Sequence, residues 1–292
     1  MDGRREYGTV FDILKEIKNP CLEDGKYHSH PLYDSSYVID ENKLIKWPDH
    51  SHEFMVKNEP YDFEYDVNTK IDIVEKALSI SLNSGIIDCG SHIGDGTIPI
   101  AHALINMERD DIIIYAIDPS KYKCDFLKKI ADINNLYNIK VICTGLANEN
   151  NKYMYDANME RMCNINSGGW CWEKNTKDSE GIEVVKFYKL DYLMSARAKD
   201  KQINCPIEII HLDVQKMEED VLRGATKTIK KYKPYLSLED PGLHGSVHYK
   251  KRTGKTIGEP MRHNDYLKLL PAEYKFIERI DINDTFKYIG DN

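Results

Sequence analysis

The sequence predicts an α/β fold: a doubly wound, mostly parallel sheet with an antiparallel C-terminal β-pair. Three observations carry this. Short β-branched runs alternate with segments whose apolar residues recur at helical spacing. One run, Ile86-Ile87-Asp88, meets a glycine turn, Gly90 to Gly96, and passes directly into a helical pattern. Acids stand at the ends of several strands, the edge where such a sheet gathers its ligands.

Taken in order, residues 1–63 are polar and turn-rich and read as an N-terminal extension packing on the core. Its HxH pairs, His28 with His30 and His50 with His52, share a face if extended. They lack Cys/His partners at zinc-like spacing and read as loop histidines. The domain proper spans 64–292. Over Asn68–Ser81, the residues Ile71, Val74, Ala77 and Leu78 predict a helix, with Asp66 or Asn68 as its cap. The first strand and the glycine loop follow, then a helix carrying Ile98, Ala101, Leu104 and Ile105, with Pro99 tolerated near its first turn.

The loop discriminates among ligands. Its glycines fall at 90, 94 and 96 and do not form GxGxxG, and it lacks the lysine of a P-loop. Asp88 and Asp95 put negative charge where phosphates would lie, which favours a cationic, phosphate-poor ligand. S-adenosylmethionine fits, having a sulfonium, an ammonium and a ribose diol. The next strand, Ile112–Ile117, ends in Asp118, placed to hold that diol, with Pro119 and Ser120 behind it. A helix with Phe126, Leu127, Ile130 and Ile133 leads to the strand Ile139–Cys143. The turn Thr144-Gly145-Leu146-Ala147 then sets Leu146 beside an adenine. The cofactor residues expected from this reading are Asp88, Gly90, His92, Gly94, Asp118, Pro119, Ser120, Leu146 and Asp213.

Periodicity fails over 150–181, which reads as an acceptor-side insertion carrying Trp170 and Trp172. These tryptophans either pin the insertion to the core or face a substrate. A strand at Ile182–Tyr188 follows. Ile207–Leu212 is the next strand and delivers Asp213 at its end, with His211 on the same side. Met217, Val221, Leu222, Ala225 and Ile229 predict one helix. Pro234–Leu238 is a strand ending in Glu239 and Asp240, and the remainder reads as a helix and the β-pair. Residues 241–262 form a loop with His244, His248 and the basic run Lys250 to Lys255. That loop is either a lid over an acidic acceptor or a solvated face.

Composition narrows the class. A formal charge of −8 over 292 residues argues against an extended nucleic-acid track. No apolar run reaches membrane-spanning length. Seven scattered cysteines without a CxxC pair fit a reducing, cytoplasmic setting.

With these residues in place, the chain resembles the FkbM family of S-adenosylmethionine-dependent methyltransferases. The matches are IIDCGSHIGDGT, YAIDPS, KLDYLM and HLDVQKMEEDVLRGA followed by KPYLSLE, in family order over about residues 70 to 240. The sequence departs from the family with His92 for Asn, Asp118 for Glu, and Gln215-Lys216 for Glu-Gly. The first two keep hydrogen-bonding capacity; the third alters the surroundings of Asp213. The resemblance implies a class I (Rossmann-like) methyltransferase fold and O-methylation of a sugar, a glycan or a glycosylated small molecule.

An alcohol needs a base or a metal to react at neutral pH. Asp213 is the first candidate base, with His244 and His211 behind it, and Trp170, Trp172 and His248 are expected on the acceptor side. Asp213 with Glu239 and Asp240 is also similar in spacing to metal-dependent sugar O-methyltransferases, implying Mg²⁺ or Mn²⁺; the competing reading makes the last two a helix cap and a solvated loop acid. An RNA ribose methyltransferase and a non-catalytic S-adenosylmethionine-binding protein are the alternative functions.

Overall fold

The computed structural model describes residues 67–156, 172–174, 184–214, 217–240 and 263–290. Its first half alternates helix and strand: α1 (Val67–Ala77), β1 (Gly85–Cys89), α2 (Thr97–Asn106), β2 (Ile113–Asp118), α3 (Lys121–Ile133) and β3 (Ile139–Cys143). Two-residue β4 (Gly145–Leu146), β5 (Lys152–Asp156), β6 (Trp172–Lys174) and β7 (Val184–Tyr188) follow. The chain then forms α4 (Leu190–Leu193), a 3-10 turn at Ala196–Lys201, β8 (Ile207–Leu212), α5 (Glu218–Gly224), α6 (Thr226–Tyr232) and β9 (Tyr235–Glu239). It closes with α7 (His263–Leu267), β10 (Tyr274–Ile280) and β11 (Asn283–Tyr288).

Seven strands form one sheet in the order β10-β11-β9-β8-β1-β2-β3. The five from β9 to β3 run parallel, while β11 is antiparallel to both β9 and β10. The chain winds outward from β1 in two directions, through β2 and β3 on one side and β8 and β9 on the other. The crevice between β1 and β8 is therefore the switch point, where such sheets bind ligands.

Alternation along the strands builds a core on each face. Ile86, Ile114 and Ile209 pack with Ile73, Val74, Ile98 and Leu104 on one side. Ile87, Ile117 and Ile210 pack with Leu222, Ile229 and Leu236 on the other. Each such side chain contributes about 1.5–3 kcal/mol on burial. A one-residue slip of β1 would exchange the layers and carry Asp88 to the wrong face, so the register that positions the site is set by the core.

The structure corrects several sequence expectations. The helix predicted over Asn68–Ser81 ends at Ala77. Its N-terminus is capped from afar: Thr69 N donates to Asp281 Oδ2 at 2.9 Å, and the Asn68 side chain donates to Asp281 Oδ1. The single helix predicted from Met217 to Ile229 is two, broken at Ala225. Asp191 takes the N–H groups of Lys227 and Thr228 and the Thr228 hydroxyl, and so starts α6 afresh. At the break, a Cβ on Gly224 would lie 2.1 Å from Ala147 O, so the close approach of α5 to that strand end requires glycine. Part of the 150–181 insertion is regular: β5 and β6 join β4 and β7 in a second sheet, order β4-β7-β5-β6. Lys152 Nζ and Asn148 Nδ2 tie its base to Asp220 on α5. No described helix is long and apolar enough to cross a membrane.

Candidate functional site

The candidate site is built on the carboxyl ends of β1, β2 and β8. Gly90 opens the loop after β1 with φ +84°, and a Cβ there would fall 1.7 Å from Asp213 O. Only glycine lets the β1 loop lie against the backbone leaving β8. The contact is fixed by Asp213 N donating to Cys89 O at 2.9 Å. On the other side Gly90 N and Ser91 N both donate to Ile117 O, at 2.8 and 3.2 Å. Gly94 takes φ +101°, and a Cβ there would press to 2.3 Å from Leu127. At Gly96, which precedes α2, a Cβ would meet only Asp88 Oδ2, at 3.7 Å. The loop is thus closed beneath and has room above.

Asp88 lies in a polar row across the sheet. In register it lies beside His211, which lies beside Ser237. His211 Nδ1 and Ser237 Oγ are 3.3 Å apart, and the Thr97 hydroxyl donates to Asp88 Oδ2. Burial pushes the Asp88 carboxyl up from the usual carboxylate range, against the opposing pull of His211 and Thr97. Asp118, at the end of β2, is also buried, and burial raises it too, while Lys123 and two backbone N–H groups pull it down. Those N–H groups are His92 N on Oδ2 at 3.1 Å and Ser120 N on Oδ1 at 2.8 Å. Each Asp118 oxygen thus accepts one backbone bond and keeps a further lone pair for a ligand hydroxyl.

His92 itself has φ +50°, and its Nδ1 lies 3.6 Å from Asp95 Oδ1. Partial burial works to raise Asp95, but the His92 bond and the charges of His92 and Lys70 outweigh it and hold the carboxyl down at about 2. Asp213 is half-buried at the mouth. Beneath it Cys89, Ile117 and Leu212 form an apolar floor, shared with Leu146. Burial and the surrounding acids push the Cys89 thiol well up, which makes it an inert floor rather than a nucleophile.

The structure therefore brings together Asp88, Gly90, His92, Gly94, Asp118, Ser120, His211 and Asp213, with Pro119 following Asp118 and Leu146 in the floor. It adds three residues that the sequence reading passed over. Thr97 holds Asp88. Glu218, 1% exposed, accepts Val214 N at 3.2 Å and braces the Asp213 turn. Ser91 is 3% exposed, and its hydroxyl has no partner among the described residues. Glu218 lies in a quoted motif and was readable as more than a helix-face residue; Ser91 gave no signal beyond its place in the loop.

Glu239 and Asp240 are buried rather than solvated. Asp240 Oδ2 accepts Arg279 Nη2 at 2.7 Å, and Arg279 Nε also binds Asp284 at 2.8 Å. Among the described residues, no group of three His, Cys, Asp or Glu side chains is arranged to hold a metal ion. Trp170, His244, His248 and the 241–262 loop lie outside the described residues, as do Gln215, Lys216 and residues 1–63. Trp172 is described only as backbone in β6, opposite Asp156.

A cationic adenosyl donor fits this arrangement on its chemistry. The buried carboxylates offer countercharge, Asp118 offers acceptor capacity, the loop has room at Gly96, and a buried hydroxyl lacks a partner. The match to a family profile points the same way. The methyltransferase FkbM domain profile matches residues 88–281. No curated protein matches. Among solved structures, the methyltransferase FkbM from Methylobacillus flagellatus KT is 16% identical, with a TM-score of 0.41 over 72% of this chain and 45% of that one. The chain thus spans less than half of that protein's length. A SAM-dependent methyltransferase from Aquifex aeolicus is 11% identical, with a TM-score of 0.40 over 76% and 89% of the two chains. Magnesium protoporphyrin IX methyltransferase from Synechocystis PCC 6803, with bound SAH, is 15% identical, with a TM-score of 0.39 over 75% and 80%.

Proposed function

The chain belongs to the FkbM methyltransferase family, and from that premise we propose that it moves a methyl group from S-adenosylmethionine to a hydroxyl oxygen of a sugar, a glycan or a glycosylated small molecule. The observation that carries the reading is the crevice between β1 and β8. There a side-chain-free Gly90 lies on the Asp213 backbone, and Asp88, Asp118 and Asp213 share one rim.

When bound, S-adenosylmethionine supplies a methyl group activated by its sulfonium. The residues of this chain do the rest. Asp118 holds the ribose diol, the Gly90–Gly96 backbone lets the ligand approach closely, and the carboxylates favour its positive charge. The floor of Cys89, Ile117, Leu146 and Leu212 excludes water from beneath the reacting atoms. Asp213, half-buried at the mouth, accepts the proton of the acceptor hydroxyl, with His244 as the second candidate base. His211 is a positioning residue, holding Asp88 between itself and Thr97. Trp170 and Trp172 are assigned to the acceptor, because aromatic faces pack against sugar rings, and His248 is a further candidate for acceptor contact.

Asp213, Glu239 and Asp240 do not fit a shared Mg²⁺ or Mn²⁺, because the Asp240 carboxylate is committed to Arg279. The proton is therefore assigned to a protein base.

The test is incubation with methyl-labelled S-adenosylmethionine and an array of mono- and oligosaccharides, with RNA as a parallel acceptor, each with and without EDTA. Label in carbohydrate as an alkali-stable methyl ether, retained in EDTA, is the expected outcome. Label in RNA instead, or donor binding without transfer to any acceptor, overturns the acceptor assignment.

A further inference from the structure

We infer that Cys124 and Cys143 form an oxidisable pair: peroxide joins them in a disulfide, and the disulfide loosens the donor site at Asp118. The second half rests on the proposed function above, in which Asp118 holds the ribose; the first half stands on the two thiols alone.

The fold brings the pair together. Cys124 lies near the start of α3, and Cys143 ends β3. Both sulfurs lie against one turn: Cys124 Sγ is 3.2 Å from Asp118 O, and Cys143 Sγ is 3.9 Å from Pro119 O. The two thiols also hydrogen-bond to each other. Both are free, Cys124 buried and Cys143 half-buried. Reactivity needs a thiolate that an oxidant can reach. The Cys124 S–H and the charges of Lys201 and Lys128 favour the Cys143 thiolate, outweighing burial and Asp118 and holding its pKa below the ordinary thiol value. The same bond, together with burial, pushes the Cys124 thiol well up. One sulfur is thus the nucleophile and its neighbour the resolving thiol. The other described cysteines are built differently: burial raises both Cys89 and Cys205, and Cys205 Sγ has the Tyr115 hydroxyl beside it at 3.4 Å.

The Cys143 thiolate attacks one oxygen of hydrogen peroxide, forming an S–O bond and breaking O–O. The leaving hydroxide takes back the proton that Cys143 gave up and departs as water. The Cys124 sulfur then attacks the sulfenic acid, forming S–S and breaking S–O, and its proton leaves with the hydroxide as a second water. The two thiols lose two electrons, and the peroxide gains them.

Cys124 is tied to the donor site through the backbone. Cys124 N donates to Ser120 O at 3.0 Å, and Ser120 N donates to Asp118 Oδ1 at 2.8 Å. Asp118 O accepts the N–H of Thr144, next to Cys143, at 3.0 Å. A disulfide brings its sulfurs to about 2 Å, well inside a hydrogen-bonded contact, and removes both S–H donors from the Asp118–Pro119 turn. The turn that aims the Asp118 carboxylate then shifts with it.

The experiment treats the reduced full chain with one equivalent of hydrogen peroxide, maps its peptides after alkylation, and titrates it with S-adenosylhomocysteine. A peptide linked through Cys124 and Cys143 is expected, with affinity for S-adenosylhomocysteine about tenfold lower, the equivalent of one hydrogen bond, and restored by dithiothreitol. Cys143→Ser keeps a hydroxyl donor and should bind as the reduced wild type does, before and after peroxide. Cys124→Ala serves the same comparison if that variant does not fold. Finding the two cysteines unlinked, linked elsewhere, or linked with affinity unchanged overturns the inference, as does an equal loss in Cys143→Ser after peroxide. A reduced wild type that does not bind S-adenosylhomocysteine overturns the proposed function instead, and the linked peptide then decides the pair by itself.

Discussion

The acids at the ends of β1, β2 and β8 and those around β9 and β11 belong to one sheet, yet they are stabilised by different means. Asp88 and Asp118 are held by a hydroxyl and by backbone N–H groups, which stabilise a carboxylate without cancelling its charge. Asp240 and Asp284 share the single guanidinium of Arg279, whose charge offsets one of the two. The first region keeps negative potential available to a cationic ligand; in the second, Arg279 offsets part of it internally. A strand-end acid therefore stays open to a ligand where hydroxyls and backbone N–H groups, rather than a bonded guanidinium, hold its oxygens.

Variants sharpen this contrast. The largest effect is expected from Asp213→Asn. If Asp213 takes the acceptor proton, turnover falls by about 10²–10⁴-fold while donor affinity changes little, measured by single-turnover methyl transfer beside calorimetry. Arg279→Met acts in the opposite sense. It strands two buried carboxylates and should cost about 3 kcal/mol of stability in urea unfolding, with donor affinity of the folded fraction preserved. A comparable loss of donor binding would show that the two regions are not separate.

Asp118→Asn should weaken the donor by about tenfold, because the amide offers one acceptor oxygen where the carboxylate offers two and turns an N–H toward a backbone donor.

The smallest effect is acid-dependent. Asp95 is held down at about 2, so its contribution to stability is present above the ordinary carboxylate range and is lost as pH falls from about 4 through about 2. Asp88 and Asp118 are raised, and their contribution runs the other way, present at low pH and lost as pH rises through their folded values. Asp95→Asn should therefore remove a falling component from the acid limb of the melting profile and leave the rising one.

Much of the site was legible because it is local in sequence. A glycine that must approach another backbone, an acid ending a β-branched run, and a helix starting after the turn all fall within ten residues of one another around Asp88 and Gly90. What escaped is what the fold supplies from a distance. Asp281 caps α1 and Asp191 caps α6, and neither is near its helix in the chain. Arg279 reaches Asp240 only because the hairpin of β10 and β11 folds back along β9. The strand β5, Lys-Tyr-Met-Tyr-Asp, has too little aliphatic content to read as buried, and is a strand because β7 and β6 pair with it. The break at Ala225 lies within an unbroken apolar stripe; contact with Ala147 and capping by Asp191 decide it. The metal reading rests on the spacing from Asp213 to Glu239 and Asp240, which says nothing of where a guanidinium lies.

The most direct test is a crystal structure of the full chain with S-adenosylhomocysteine. The account predicts the ribose hydroxyls on Asp118 and the amino-acid end over the Gly90–Gly96 loop, with Asp240 and Asp284 still on Arg279. A nucleoside lodged away from the crevice between β1 and β8, with Asp118 bare, would contradict it.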